Sequence, residues 1–585
     1  MSFFNAPNLN ILWGTLLVEE LIRNGIDYFV LSPGSRSTPL TVAIARHSKA
    51  KRRVCVDERG AAFHAIGYAR ATGNPAVLIS TSGSAPANYF PAVIEASADR
   101  LPLIIISADR PPELRQTGAN QTIDQVNLYG NYTRWTFDLP CPDESISPAV
   151  VLTTVDQLIY RSRRSPCGPV HLNCMFREPL APTDSAISDG YTIPLKRWLN
   201  GDRPRTIYEL PKATPTPQTL QQIAAILNET KRGILAIGAL SSPREVAAIS
   251  ELAKRLQFPI FADIRSGLRL GNSLPEQIRY FDFLLSAEIW NNSEPIETVL
   301  QIGDRILSKR FLQQLEQHPP ANYIVILDEP SRHDPTHAVT HRIESDIEIF
   351  CRNLSPFLIS KISETWKNNL SKTAQKIADA IADSLTPESD LNEIAIAREV
   401  SRHIPPDSGL FLSNSMPVRD MDNYGLYGGN YVRIGANRGA SGIDGIIASA
   451  TGLCQGLNAP TTLIIGDLAF LHDLNSLSLV RSLPHPLWII AINNNGGGIF
   501  SFLPISQFED VFEPYFGTPQ NLNFSHAAKL FDIEYFSPQT LEDFVRDYKR
   551  AIASQQSAIL EVKTDRQNNR ELHQKITQKK GLQPP

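Results

Sequence analysis

Long apolar runs are missing from this 585-residue chain: none approaches the roughly 18 to 20 residues that a membrane-crossing helix requires. The strongest, at 101–107 and 487–492, have the length of buried strands. Cysteine is also scarce. The six present (Cys55, Cys141, Cys167, Cys174, Cys351, Cys454) are scattered and form no C-x-x-C pair, which fits a reducing compartment rather than a disulfide scaffold. There is no basic surplus either: 56 Lys and Arg stand against 60 Asp and Glu, a net charge of −4, so nucleic acid is not expected as the main partner. No basic residue precedes Arg23 and no small-residue cleavage site follows an apolar core. A secretory signal is therefore not read, and a cytoplasmic location is expected. The motifs G-x-G-x-x-G, G-x-x-x-x-G-K-[ST] and G-x-S-x-G are absent, which removes the usual support for NAD, P-loop nucleotide and serine hydrolase chemistry.

What is present is ordinary globular material, 42% hydrophobic and 20% charged, which rules out disorder, collagen and coiled coil as whole-chain descriptions. At roughly 150 residues per domain the length argues for about three to four domains. Helical and extended patterns alternate three times over. Strands are expected at 28–31, 53–56, 76–79 and 103–106, then at 233–237, 259–262, 298–302 and 323–327, then at 409–412, 462–465 and 487–492. Such alternation predicts an α/β protein of three successive doubly wound domains with mostly parallel sheets. The boundaries read as 1–185 for the first domain, a proline-rich linker at 186–216, a central α/β domain at 217–355 and a polar linker at 356–392. The third domain covers 393–585 and ends in a polar tail expected to be partly mobile.

Two polar clusters in the third domain stand just beyond strand ends, where open α/β sheets bind ligands. Gly466-Asp467 follows the run 463–465, and Asn493-Asn494-Asn495-Gly496 follows 487–492. The separation of Asp467 and Asn494 leaves room for one crossover helix. A carboxylate oxygen from Asp467, an amide oxygen from Asn494 and a backbone carbonyl at Gly496 would supply three hard ligands suited to Mg²⁺, the remaining positions going to phosphate and water. Either cluster by itself is also a plain turn of good turn formers. Together they resemble the thiamine diphosphate-binding motif, with Leu468 in place of its second glycine.

That resemblance implies a second element, a glutamate that hydrogen-bonds the cofactor's pyrimidine ring and assists loss of the thiazolium C2 proton. Glu58 is the candidate: the segment Val56-Asp-Glu-Arg-Gly-Ala-Ala-Phe-His-Ala-Ile-Gly-Tyr-Ala looks like the glutamate-bearing stretch of the pyrimidine domain in this superfamily. An acid in a first helical turn is otherwise ordinary dipole stabilisation, and Asp57 reads as the plain cap. In related enzymes the cofactor lies between the pyrimidine domain of one subunit and the diphosphate domain of another, so a homodimer or homotetramer is implied.

Three further segments, Ser32-Pro-Gly-Ser-Arg-Ser-Thr-Pro-Leu, Ser107-Ala-Asp-Arg-Pro-Pro-Glu-Leu with Gly118-Ala-Asn-Gln, and Asn437-Arg-Gly-Ala-Ser-Gly-Ile-Asp-Gly, narrow the likeness. They resemble the 2-succinyl-5-enolpyruvyl-6-hydroxy-3-cyclohexene-1-carboxylate synthase family of menaquinone and phylloquinone biosynthesis, whose metal motif commonly reads Gly-Asp-Leu. The implied reaction is decarboxylation of 2-oxoglutarate and addition of the succinyl carbanion equivalent to isochorismate, with thiamine diphosphate and Mg²⁺ as cofactors and Mn²⁺ as a substitute. Both substrates are dicarboxylates, and arginine suits bidentate carboxylate binding. The resemblance assigns catalysis to Glu58, Arg36, Arg419 and Arg438. Substrate contacts go to Ser35, Arg36, Arg110, Asn120, Gln121, Lys309, Arg310, Ser415, Arg419, Arg438 and Phe500. The cofactor is assigned to Glu58, Gly439, Ser441 and Ile443, the last as the bulky apolar residue behind the bent molecule, together with Asp467, Asn494 and Gly496.

His333, His337 and His341 recur every four residues, but Pro335 interrupts any helix there and no H-E-x-x-H is present, so no metal site is read. Two rivals stay open: another thiamine diphosphate 2-oxoacid enzyme, such as an acetohydroxyacid synthase or decarboxylase, and a non-catalytic regulatory member of the same fold.

Overall fold

The computed structural model describes residues 6–271, 273–285, 295–385 and 391–578. Three parallel sheets organise them. The first holds β1 (Tyr28–Leu31), β2 (Lys51–Val54), β3 (Val77–Ser80), β4 (Leu103–Asp109), β5 (Trp135–Leu139) and β6 (Pro169–Met175) in the order β2-β1-β3-β4-β6-β5. The second holds β7 (Gly233–Ile237), β8 (Ile260–Ala262), β9 (Thr298–Ile302), β10 (Asn322–Leu327) and β11 (His341–Glu344) in the order β11-β10-β9-β7-β8. The third holds β12 (Ser408–Leu412), β13 (Val432–Gly435), β14 (Thr461–Gly466), β15 (Leu487–Asn493), β16 (Glu534–Phe536) and β17 (Ala558–Lys563) in the order β13-β12-β14-β15-β17-β16. The expected α/β class, with three successive and mostly parallel sheets, is what the chain adopts.

One winding rule is used three times. In each sheet the second strand in sequence lies outside the first, and the third and fourth follow on the other side. The order reverses between the first and third strands, and at such a switch point the connections diverge and leave a crevice beyond the carboxyl ends. In the first sheet this is the gap between β1 and β3, in the third that between β12 and β14. The central strands are buried on both faces: β4 is buried along its whole length, as parallel strands covered by helices on both sides must be.

The chain divides into two compact units. One comprises Met1–Pro211, Asn437–Asn458 and His472–Pro484; the other comprises Lys212–Ala436, Ala459–Leu471 and His485–Pro585. In the first unit, the helix Glu58–Thr72 packs on the helix Ile446–Leu457 with backbones nearly touching. A Cβ on Gly67 would come within 2.0 Å of the Ser449 carbonyl oxygen, and one on Gly452 within 2.0 Å of the His64 carbonyl oxygen. Glycine is needed at both places because nothing larger fits. His64 crosses the same contact, its ring nitrogens 2.8 Å from the Tyr28 hydroxyl and 2.8 Å from Thr451 Oγ1.

Three sequence readings change in detail. The strand expected at 53–56 lies two residues earlier, as β2, because its outer-edge position lets charged residues carry the ladder. The segment 356–392 contains a 21-residue helix, Glu364–Ser384, whose Trp366, Leu370, Ile377 and Ile381 are buried in the core around the second sheet. Residues 386–390 of that segment lie outside the described ones. The tail beyond Asp565 contains the helix Arg566–Gln578, anchored by fully buried Ile576, so over that stretch its polar composition marks one solvated face; residues 579–585 lie outside the described ones.

Candidate functional site

The second unit carries the candidate metal ligands. Asp467 follows the last residue of β14 and opens the short helix Asp467–His472. Its Oδ2 accepts the Gly496 N–H at 2.7 Å and its Oδ1 accepts its neighbour Leu468 N–H at 2.8 Å. Burial nevertheless pushes the carboxyl up to about 6, the amide donors offsetting part of the desolvation. Asn494, one residue past β15, is equally buried; its Nδ2 donates to Glu393 Oε1 at 2.8 Å, while its Oδ1 is buried with no hydrogen-bond partner among the described residues. An orphaned buried acceptor costs free energy unless something fills it. Gly496 sits at φ +136°, and a Cβ there would lie 1.8 Å from the Gly517 carbonyl oxygen. The turn therefore needs glycine to fold back over Asp467. A buried amide oxygen without a partner among the described residues, two residues before the N–H that holds the buried Asp467 carboxylate, offers a donor set that fits a hard divalent cation.

The strand ends of the third sheet add Ser415 and Arg419. Ser415 caps the helix Met416–Tyr424 at φ 74°, ψ −132°, a backbone conformation strained for any residue with a side chain. Its carbonyl oxygen accepts from Arg419 Nη1 at 2.6 Å, and burial lowers the pKa of that guanidinium from its usual value. Phe500 lies in the 3-10 turn Gly498–Phe502, edge-on to Phe516 with centroids 5.7 Å apart. Lys309 and Arg310 open the helix Lys309–Gln317. Lys309 is exposed, whereas Arg310 pairs with Asp282 and lies over the Phe283 ring.

The first unit carries the glutamate and three of the arginines. Glu58 is the first residue of its helix, half-buried, with Asp57 as the N-cap through a 3.0 Å bond from the Arg59 N–H. Arg36 lies beyond β1 at the switch point and is 5% exposed. Its Nη1 donates to the Phe176 carbonyl oxygen at 2.9 Å, its Nη2 is 3.3 Å from Glu178, and its Nε has no partner among the described residues. Burial and the charge of Arg110 lower its pKa. Arg110, just past β4, also keeps a buried Nε without a partner among the described residues. Two neighbouring guanidinium groups with unused donors form a receptor for anions. Gln121, at φ 56°, donates to the Ser82 carbonyl oxygen at 2.9 Å, and Ser35 and Asn120 are exposed. Arg438, Gly439, Ser441 and Ile443 belong to this unit too. The buried Glu95 accepts the backbone N–H groups of Gly439 at 2.8 Å and Ala440 at 2.6 Å, which fixes the loop leading to Ile443.

Two structural groups escape a sequence reading. Glu95 is a lone acid in the apolar helix Phe90–Ala98, where an uncompensated charge is the signal that could have found it. Glu393 looks like any first-turn helix acid, yet it is 4% exposed and pushed up to about 7 by burial and by Asp420.

The sequence matches three family descriptions. Residues 13–128 match the thiamine pyrophosphate enzyme, N-terminal TPP binding domain; residues 189–412 the middle domain of thiamine pyrophosphate enzymes; and residues 432–562 the C-terminal TPP binding domain. A relative from Rubrobacter xylanophilus is 44% identical over 571 residues, covering 98% of each chain, and one from Salinibacter ruber is 43% identical over 582 residues, covering 98% of this chain and 97% of its own. A third, from Pelodictyon phaeoclathratiforme, is 44% identical over 580 residues, covering 98% and 96%. All three bear the name 2-succinyl-5-enolpyruvyl-6-hydroxy-3-cyclohexene-1-carboxylate synthase. With thiamine pyrophosphate-binding domains at both ends and this likeness over nearly its whole length, the chain belongs to the 2-succinyl-5-enolpyruvyl-6-hydroxy-3-cyclohexene-1-carboxylate synthase family of thiamine diphosphate enzymes.

Proposed function

We propose that this enzyme decarboxylates 2-oxoglutarate and adds the four-carbon remainder to isochorismate, with thiamine diphosphate and Mg²⁺ as its cofactors. The observation that carries the reading is the full-length likeness to synthases of that name; the orphaned Asn494 oxygen, two residues before the Gly496 N–H that binds Asp467, supports it from the geometry. Asp467, Asn494 and the Gly496 carbonyl are assigned to the cation that holds the diphosphate, with Mn²⁺ able to replace it. When bound, thiamine diphosphate supplies a nucleophilic carbon and an electron sink for loss of CO₂. Glu58 exchanges a proton with a ring nitrogen of the pyrimidine, and Ile443, Gly439 and Ser441 shape the cofactor's bed.

Arg36, Arg110, Arg419 and Arg438 take the carboxylates, with Ser35, Asn120, Gln121, Lys309, Arg310, Ser415 and Phe500 as the remaining substrate contacts. Arginine keeps its charge when partly desolvated, which is what a pocket for two dicarboxylates needs. A working homodimer, with Glu58 of one subunit serving the cofactor held by the partner, is part of the proposal. It is supported by Val54 and Val56, 62% and 86% exposed immediately before Glu58, which present apolar surface suited to a second subunit. Among the described residues no helix is long and apolar enough to cross a membrane, and the enzyme is proposed to work in the cytoplasm.

Donor choice tests the reading. Pyruvate lacks the distal carboxylate, and a charge pair about 4 Å apart is worth roughly 4 kcal/mol at an effective dielectric of 20 before desolvation. A third of that gives about tenfold selectivity. Wild-type enzyme should prefer 2-oxoglutarate, and Arg419→Ala or Arg438→Ala should damage its use far more than any residual turnover of pyruvate. Steady-state kinetics with both donors decides: a preference for pyruvate, or equal loss of both donors, overturns the assignment.

A further inference from the structure

As a metal ligand, Asn494 faces a choice that Asp467 does not. A carboxylate offers oxygen at both ends, whereas an amide offers oxygen at one end and a hydrogen-bond donor at the other, so a half turn replaces a cation ligand with a group that repels cations. Something must hold the amide the right way round. In this structure Asn494 Nδ2 donates to Glu393 Oε1 at 2.8 Å, and the amide oxygen is left buried on the other side without a partner. Glu393 comes from 101 residues earlier in the chain, as the first residue of the helix Glu393–His403. Its same Oε1 also accepts the Thr564 hydroxyl at 3.1 Å, so that oxygen is pinned by two donors from two different segments. The neighbouring acid Asp420 lies 3.2 Å from His573 Nε2, and His573 Nδ1 lies 2.9 Å from the Tyr424 hydroxyl. Gly498 completes the fit: a Cβ there would stand 2.6 Å from Asn494 Nδ2 and push the amide off its acceptor.

We propose that Glu393 is a positioning residue of the divalent-cation site, holding the Asn494 amide so that its oxygen, and not its nitrogen, faces the cation. The inference rests on the assignment of Asp467 and Asn494 as cation ligands. Glu393 Oε1, which accepts the Thr564 hydroxyl and the Asn494 amide together, selects one orientation of the amide; a glutamine in its place can present either oxygen or nitrogen and selects neither.

The test is a double-mutant cycle read by Mn²⁺ binding to the full chain, with free Mn²⁺ followed by electron paramagnetic resonance in saturating thiamine diphosphate. Glu393→Gln should raise the Kd for Mn²⁺ at least tenfold while leaving the melting temperature of the metal-free protein within a few degrees. In the Asn494→Asp background, where position 494 offers oxygen at both ends, the same substitution should leave Kd within twofold or lower it. Glu393→Leu, which removes the acceptor altogether, repeats the cycle should Glu393→Gln yield unfolded protein. An equal rise in both backgrounds would make Glu393 a structural residue only, and no rise with Asn494 present would remove its role entirely. Asp467→Ala serves as the control. If wild type fails to bind Mn²⁺, or if Asp467→Ala binds it as tightly as wild type, the cation site itself is misassigned and this inference falls with it. If both behave as expected and only the Glu393 cycle is flat, the cation site stands and the inference alone fails.

Discussion

At the scale of single residues, chemistry concentrates where a strand ends and burial makes charge costly. Acids or amides close several apolar strands, at Asp109, Asp263, Asp328, Asn414, Asp467 and Asn493, so Asp467 and Asn494 were singled out by their joint likeness to the thiamine diphosphate motif and not by position alone. Glu58 was singled out through its surrounding segment. Glu393 and Glu95 were not, since each acts on a partner more than 100 residues distant in sequence, and a local pattern carries no trace of such a bond. The role given to Glu58 is tested apart from cofactor affinity. Glu58→Gln keeps the shape of the side chain but cannot exchange a proton in the same way. Hydrogen–deuterium exchange at the thiazolium C2 should slow by orders of magnitude with cofactor still bound in calorimetry. Exchange at the wild-type rate would remove Glu58 from the chemistry.

At the scale of elements, the packing of the Glu58–Thr72 helix on the Ile446–Leu457 helix governs the first unit. Gly67→Ala has no room, with a backbone carbonyl 2.0 Å from the new Cβ, and should destabilise by about 2 kcal/mol, read as a lowered urea midpoint. Gly73→Ala, which meets nothing within 4 Å and bears only the strain of φ 71°, should cost about 1 kcal/mol. The same helix pair sets a pH dependence. Burial holds the His64 imidazole down at about 3, so the folded state resists a proton that the unfolded chain accepts near 6.5. The His64 contribution to stability is therefore full above pH 6.5 and falls as pH drops below it toward 3, by about 1.4 kcal/mol per unit. Buried carboxyls raised by burial, Glu393 to about 7 and Asp467 to about 6, act in the opposite direction in both proteins, so the change in urea midpoint from pH 7.5 to 5.5 should be less favourable in wild type than in His64→Gln; an identical change in the two would exclude a His64 contribution. Strands of this unit were less evenly legible. The β4 run LIIISAD declares itself by its apolar centre, whereas β6 carries His171 and Asn173, both fully buried, with the Ser107 hydroxyl 2.7 Å from His171 Nε2 and donating to Asn173 Oδ1 at 2.9 Å. Polar residues made internal by their partners look like surface in a sequence.

At the scale of the whole molecule, the tripled α/β class was readable because alternation of apolar strands and amphipathic helices is a property of composition along the chain. The shared winding order was not, since strand neighbours are set by crossovers that leave no local mark. Nor was the division of the chain: Asn437–Asn458 and His472–Pro484, late in sequence, belong to the unit that holds the first sheet. The residues proposed for the site accordingly fall in both units: Glu58, Arg36, Arg110 and Arg438 in one, and Asp467, Asn494 and Arg419 in the other. The central claim is that the enzyme joins two particular dicarboxylates, and the product is its most direct test. Purified enzyme is incubated with isochorismate, 2-oxoglutarate, thiamine diphosphate and Mg²⁺, and the mixture is analysed by mass spectrometry. The account predicts a single new species with the combined mass of the two substrates less carbon dioxide, absent when any one component is withheld. Unconsumed isochorismate with both cofactors bound, or a product formed from pyruvate in preference to 2-oxoglutarate, would contradict it.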